Sequence, residues 1–183
     1  GKFIQLSFDN PPDVAHWTYP LPIKVKKAKN VYTMHDLIPL KLPFTTLDSK
    51  GDYLRLCRTI AREADRIVTV SENSKRDICE LLDVSPENVV NTYQSVSVPD
   101  KLTSASPDEL ASILKNLYGL NAGEYFLFVG AVEPKKNLSR LLEAFLGSDI
   151  ESPLVIAGPN AWMYEQQLSI WDPKRTSSYT LAE

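Results

Sequence analysis

The sequence has few of the residues that form disulfides and metal sites. Of its 183 residues, only two are cysteine and two are histidine. Cys57 and Cys79 each fall inside a helical pattern among apolar neighbours, which predicts reduced core thiols rather than a disulfide or a metal site. Because no histidines and carboxylates cluster at the spacing of a ligand set, we expect no metal cofactor.

Excess positive charge and long apolar runs are also missing. The formal net charge is -3, which gives no general attraction to nucleic-acid phosphates. No segment approaches the roughly 18 apolar residues of a membrane-spanning helix, so the cytoplasm is the expected location. The compact basic run at 24–29 is interpreted as a solvated loop before a strand. Attraction to anionic lipid headgroups at the inner face of the membrane, or to a phosphorylated acceptor, is the alternative.

Short apolar runs alternate with helical patterns along the chain. The strands are predicted at 13–17, 30–34, 66–70, 89–93, 125–129 and 153–157. The helices are predicted over 51–64, from a cap at Ser71 to about 82, from a capping box at 106–109 to Gly119, and from Asn137 through Phe145. This alternation predicts a doubly wound α/β fold, with parallel strands covered by helices on both faces.

A change of composition divides the chain. Residues 94–107 are rich in serine, proline and threonine, which predicts a connector and a boundary near residue 100. About four strands precede it and two follow, whereas a doubly wound sheet commonly has five or six. We therefore expect two Rossmann-like segments, both incomplete.

One strand end has the chemistry of an anion site. Gly130 follows the strand at 125–129, and it permits a tight turn and close approach of a ligand to the backbone. Asn137 is predicted to cap the next helix, whose N-terminus carries partial positive charge, and Lys135 and Lys136 stand directly before it. Diphosphate is the ligand expected at a helix N-terminus preceded by two lysines. The alternative is that both lysines are ordinary exposed turn residues.

Four segments together resemble family-four glycosyltransferases of the GT-B fold, particularly those similar to bacterial mannosyltransferases. They are VYTMHDL at 31–37, RIVTVSENSKRDI at 66–78, YFLFVGAVEPKKNL at 125–138, and LVIAGP at 154–159 with Trp162 and Tyr164. The resemblance extends from Asp13 to Tyr164.

The resemblance implies transfer of a sugar from a nucleotide-diphosphate donor to a saccharide or lipid-linked acceptor, with retention of configuration and without a metal. The resemblance also favours mannose from a guanosine diphosphate donor. Residues 1–100 would be the C-terminal part of the acceptor-side domain. Residues 101–183 would be a linker, a helix and the first half of the donor-binding domain.

The resemblance also implies roles for particular residues. The family's donor loop has an arginine and a lysine that contact the diphosphate; Ala131 stands in place of the arginine, whereas Lys136 matches the lysine. Lys135 is a candidate to supply the missing charge. The next loop of the donor domain begins with Gly158 and Pro159.

On the acceptor side, the resemblance implies that His16, His35 and Asp36 contact the acceptor or the transferring sugar. They are therefore the candidate catalytic residues. For each histidine, the alternative is a ring that satisfies backbone groups at a strand end.

Two features of the family are absent from these 183 residues: a pair of donor-domain glutamates and the glycine-rich loop of the first strand. We therefore expect this chain alone to bind donor weakly and to show no turnover, which a measured transferase rate would contradict. Two other classes stay open. A dehydrogenase-like nucleotide-binding module is disfavoured because no G-x-G-x-x-G follows a strand, and a noncatalytic scaffold would retain the fold without the chemistry.

Overall fold

The computed structural model describes residues 3–100 and 104–171, and the backbone of 179–181. The chain divides into two compact units, Gly1–Val96 and Ser97–Glu183, called here the first and second unit. Every strand pair in the described residues is parallel. The predicted α/β class with parallel sheets is therefore confirmed.

In its described residues, the first unit contains two sheets and three α-helices. Its four-stranded sheet has the order β2-β4-β5-β6, and a separate pair joins β1 to β3. The strands are β1 (Ile4–Leu6), β2 (Val14–Trp17), β3 (Ile23–Val25), β4 (Lys29–Thr33), β5 (Arg66–Thr69) and β6 (Val89–Asn91). The helices are α1 (Ile38–Lys41), α2 (Lys50–Glu63) and α3 (Glu72–Leu82), and short 3-10 turns lie at Pro43–Thr45 and Pro86–Asn88.

Local signals explain most of these elements. The Ser71 hydroxyl accepts a hydrogen bond from the Ser74 amide at 3.0 Å, which confirms the predicted cap of α3. Cys57 is buried, Cys79 is half-buried, and both are free thiols, as predicted. Burial raises the pKa of the Cys57 thiol to about 11, because an apolar environment disfavours the thiolate. The sequence did not predict β1 and β3; each has only three residues, with a polar residue between two apolar ones.

Asn30, at the start of β4, connects the two sheets of the first unit. Its side chain is 4% exposed, and its amide nitrogen donates to the carbonyls of Val25 and Ala28 at 2.9 and 3.0 Å. Its carbonyl oxygen accepts from the Val25 amide at 2.9 Å and from the Trp17 indole at 3.3 Å. The Tyr32 hydroxyl makes a second connection, to the Ile23 carbonyl at 2.6 Å. One buried amide therefore fixes the turn between β3 and β4.

Among its described residues, the second unit has one parallel sheet with the order β7-β8-β9. The elements are α4 (Pro107–Tyr118), β7 (Phe126–Val129), α5 (Leu138–Leu146), β8 (Leu154–Ala157), α6 (Tyr164–Gln167) and β9 (Tyr179–Leu181), with a 3-10 turn at Pro134–Lys136. The predicted capping box of α4 is confirmed, and its C-cap Gly119 is left-handed with φ 68°. None of the helices in the described residues is both long and apolar enough to cross a membrane.

Strand β7 departs from the prediction that helices cover both faces of each strand. Phe126 contacts Phe145 of α5, and Phe128 packs against the same core. Leu127 and Val129 point to the other face and are 55% and 74% exposed. Among the described residues this second face of β7 is therefore largely uncovered, contrary to the prediction for this strand.

The basic run at 24–29 is partly neutralised. The Lys24 ammonium lies 2.5 Å from a Glu63 carboxylate oxygen, and the Lys29 ammonium lies 2.9 Å from Asp65. Hydrogen bonds from the Lys29 side chain and the Asn30 amide lower the pKa of Asp65. Two lysines of the run are therefore engaged within the first unit.

Candidate functional site

The loops after β7 and β8 are held together by backbone pairing that extends beyond the strands. The Gly130 amide donates to the Ala157 carbonyl at 2.9 Å, and the Val132 amide donates to the Pro159 carbonyl at 2.9 Å. The Ala161 amide donates a hydrogen bond to the Val132 carbonyl at 3.2 Å. Gly130, Gly158 and Pro159 are thus brought together at the carboxyl end of the sheet, where parallel sheets bind ligands.

Gly158 permits the closest approach between these loops. Its φ is 151°, and a Cβ at this position would lie 2.1 Å from the carbonyl oxygen of Gly130. The φ of Gly130 is 152°. No residue with a side chain fits at 158 unless the backbone of the neighbouring loop moves.

The two lysines of the loop have different surroundings. The Lys135 ammonium forms an ion pair with Glu133 at 3.1 Å. The Lys136 side chain lies over Gly130, with its Cε 3.8 Å from the place that a Gly130 Cβ would occupy. Among the described residues, Lys136 has no carboxylate partner. Lys136 therefore contributes the uncompensated positive charge of this loop.

Asn137 does not cap α5 with its side chain, so that prediction was wrong. Its backbone is left-handed, with φ 56° and ψ 36°, and its side chain makes no cap hydrogen bond. A side-chain cap requires extended backbone at the N-cap, and the preceding 3-10 turn ends in a left-handed residue instead. The amide of Ser139, in the first turn of α5, is 3.4 Å from the Gln167 side-chain oxygen.

His16 lies on β2, which pairs with β4, the strand that leads to His35. It is exposed on β2, and its Nε2 is 2.8 Å from the Thr33 hydroxyl on β4. The ring therefore bonds a side chain rather than a backbone group. In the part of the chain that the structure describes, no hydrogen bond joins His16 to His35 or Asp36.

The segment His35–Asp36 directly follows β4 and is held by hydrogen bonds from three elements. The Asp36 carboxylate accepts from the Ile38 amide at 3.0 Å, which fixes the start of α1. The Tyr53 hydroxyl of α2 donates to the Asp36 carbonyl at 3.2 Å, and the Thr69 hydroxyl of β5 donates to the His35 carbonyl at 3.4 Å. Burial raises the pKa of Tyr53, so this donor keeps its proton.

Tyr53 and Thr69 support the segment, but sequence reasoning missed them. Both lie inside regular elements and come from distant parts of the chain. No local pattern shows that their hydroxyls contact the same loop.

No group of three metal-ligating side chains occurs among the described residues.

A family model described as Glycosyltransferase Family 4 matches residues 2–96, more than half of the chain. The chain belongs to glycosyltransferase family 4. The match covers the segment with His16, His35 and Asp36. The resemblance of the sequence motifs to this family is thereby confirmed.

Bacterial mannosyltransferases are among the similar proteins. The chain is 28% identical over 147 residues to the O-antigen chain mannosyltransferase B of Escherichia coli, covering 78% of this chain and 37% of that protein. It is 27% identical over 148 residues to the serotype-specific mannosyltransferase WbdA of Escherichia coli, covering 77% of this chain and 18% of that protein. The chain therefore spans well under half the length of these relatives.

Solved structures support the GT-B fold. The Anabaena protein HepE, solved in complex with UDP and glucose, has a TM-score of 0.62 at 16% identity, covering 85% of this chain and 42% of that one. TarM has a TM-score of 0.52 at 13% identity, covering 86% of this chain and 28% of that one. At these identities the likeness concerns the fold alone.

Proposed function

We propose that this protein is a glycosyltransferase that moves a sugar, mannose by analogy with its relatives, from a nucleotide-diphosphate donor to a saccharide or lipid-linked acceptor. The observation that carries the proposal is the Lys136 side chain, which lies over Gly130 at the carboxyl end of β7 and has no carboxylate partner among the described residues. Family membership and the mannosyltransferase relatives support it.

The proposed chemistry needs positive charge at the leaving group. When the bond between sugar and diphosphate breaks, negative charge builds on the leaving phosphate, and a fixed ammonium nearby lowers the barrier. Lys136 is the main cation in this proposal, and Gly130 lets the phosphate approach the backbone. Lys135 has a smaller part, since Glu133 already neutralises it. Asn137, Gly158 and Pro159 form the rest of the proposed donor loop.

The acceptor side of the proposal uses the first unit. His35 and Asp36 follow β4, and the Tyr53 and Thr69 hydroxyls fix their backbone. His16 is exposed on the adjacent strand, where its ring can exchange protons or hydrogen bonds with a sugar hydroxyl. The proposed reaction retains the anomeric configuration and needs no metal. The proposed location is the cytoplasm, with Lys26 and Lys27, which are exposed and have no ion pair among the described residues, for contact with the inner membrane face.

The lysine pair provides the test. We expect Lys136→Ala to weaken GDP binding by about 10- to 100-fold, because a charge-assisted contact to phosphate contributes about 1.5–3 kcal/mol. Lys135→Ala should weaken it by less than about fivefold, since part of that charge is already compensated. Isothermal titration calorimetry with GDP, and with UDP as the second nucleotide, measures both.

The matched control is Lys115→Ala in the same unit, where the ammonium bonds Asn121 at 3.0 Å. It should leave nucleotide binding and the melting midpoint unchanged. If Lys136→Ala binds both nucleotides as tightly as the original protein, the donor-site proposal is wrong and a noncatalytic scaffold becomes the better explanation.

A further inference from the structure

Tyr93 has an unusual backbone for an aromatic residue. Its φ is 55°, in the left-handed region that bulky side chains normally avoid, and the residue is 64% exposed. The sequence predicted a strand through this position, but β6 ends at Asn91. The left-handed backbone of Tyr93 follows the end of the strand. A glycine would adopt this backbone without strain, so the turn itself does not require a tyrosine.

A chain of hydrogen bonds holds this conformation. The Tyr93 amide donates to the Asn91 side-chain oxygen at 3.0 Å, and the Asn91 amide nitrogen donates to the Glu72 carboxylate at 2.7 Å. The Thr92 amide donates to the Thr69 carbonyl at 3.0 Å, which anchors the same turn to β5. These hydrogen bonds therefore fix the backbone that carries the exposed ring. Strained backbone held in this way is typical of ligand-binding sites.

The position of Tyr93 in the sheet favours a role in ligand binding. It follows the carboxyl end of β6, in the parallel sheet where His35 and Asp36 follow β4. Ligands of open parallel sheets bind at this edge. An aromatic ring offers an apolar face and, in tyrosine, a hydroxyl at its rim. A pyranose matches both, because its C–H groups lie on one face and its hydroxyls surround the ring.

We propose that Tyr93 is a stacking platform for a pyranose ring of the saccharide acceptor. The identification of this sugar as the acceptor rests on the proposed glycosyltransferase function. The platform itself rests on the strained, exposed ring at the sheet edge. Tyr93 binds the sugar through its ring face, and the hydroxyl is secondary.

Three variants separate binding from structure. Tyr93→Gly removes the ring and relieves the left-handed strain, so it should lose sugar binding while its melting midpoint stays equal to or above that of the original protein. Tyr93→Phe keeps the ring and should bind within about threefold of the original. Tyr93→Asn tolerates the left-handed backbone without a ring and should behave like Tyr93→Gly.

The probe is methyl α-D-mannopyranoside, and the measurement is saturation-transfer NMR on the full chain with a titration of the protein signals. We expect transfer to the C–H protons of one pyranose face, and a loss of affinity of about three- to tenfold in the Gly and Asn variants. Absence of transfer with the original protein, undiminished transfer with Tyr93→Gly, or loss of transfer with Tyr93→Phe would each overturn the proposal.

Lys136→Ala keeps the two proposals distinguishable. It should reduce GDP binding and leave the mannoside signal unchanged. If GDP binding does not respond to Lys136→Ala but the mannoside signal depends on the Tyr93 ring, the donor proposal fails and the sugar platform stands. If GDP binding follows Lys136 while the mannoside signal ignores Tyr93, the platform fails alone.

Discussion

Gly158→Ala is expected to destabilise the second unit by about 3 kcal/mol or more, because a methyl group there overlaps fixed backbone. The added Cβ would lie 2.1 Å from the Gly130 carbonyl oxygen and 2.6 Å from its carbonyl carbon. Neither atom belongs to a flexible side chain. The loops after β7 and β8 must separate, which also breaks the pairing between the Val132 amide and the Pro159 carbonyl. Urea denaturation followed by circular dichroism measures the loss.

Gly123→Ala is the matched control for this substitution. Gly123 is also left-handed, with φ 79°, but an added Cβ there meets no atom within 4 Å. It therefore reports backbone strain alone, about 1 kcal/mol. Equal destabilisation by the two variants would show that the close approach at Gly158 does not matter.

The same substitution has a functional consequence. Because Gly130 must move when position 158 gains a side chain, the Lys136 side chain that lies over it loses its place. We therefore expect Gly158→Ala to weaken GDP binding together with stability, whereas Lys136→Ala weakens binding alone.

Asn30→Ala is expected to destabilise the first unit by about 3 kcal/mol. The substitution leaves the amide and carbonyl of Val25 and the carbonyl of Ala28 without their side-chain partner in a buried place. Each buried polar group without a hydrogen bond costs about 1–3 kcal/mol, and partial solvation of the turn offsets some of the sum. Urea denaturation gives the change in the free energy of unfolding, and hydrogen exchange of the Val25 amide gives its location.

Asn116→Ala is the control for this prediction. Asn116 lies on the exposed face of α4, and its single side-chain bond to Ser112 is 3.2 Å long. It should change stability by less than about 0.5 kcal/mol. A similarly small loss at Asn30 would mean that water replaces its hydrogen bonds.

The sequence predicted the regular elements where the signal is local. The apolar stripe of α2, the Ser71 cap and the capping box of α4 all act within a few residues, so the structure repeats them closely. The Asn137 cap failed although asparagine is a good cap residue, because the 3-10 turn before it imposes a left-handed backbone. Composition placed the domain boundary near residue 100, and the compact units divide between Val96 and Ser97.

The donor and acceptor candidates were found in the same way and remain proposals. Gly130 and the lysines stand out because they follow a predicted strand, and His35 and Asp36 do so too. Lys135 differs from Lys136 because it forms an ion pair with Glu133. The sequence alone could not show which of the two adjacent lysines would make this pair.

By itself, the sequence determined the alternation of strands and helices, the parallel class of the sheets and the membership in glycosyltransferase family 4. These depend on periodicity, capping and motif spacing, which are properties of neighbouring residues. Only the tertiary structure decided that Gly158 presses on Gly130, that Tyr53 and Thr69 hold His35–Asp36, and that Tyr93 presents its ring from a strained turn. Those contacts and backbone angles arise when separate segments pack, and no local pattern encodes them.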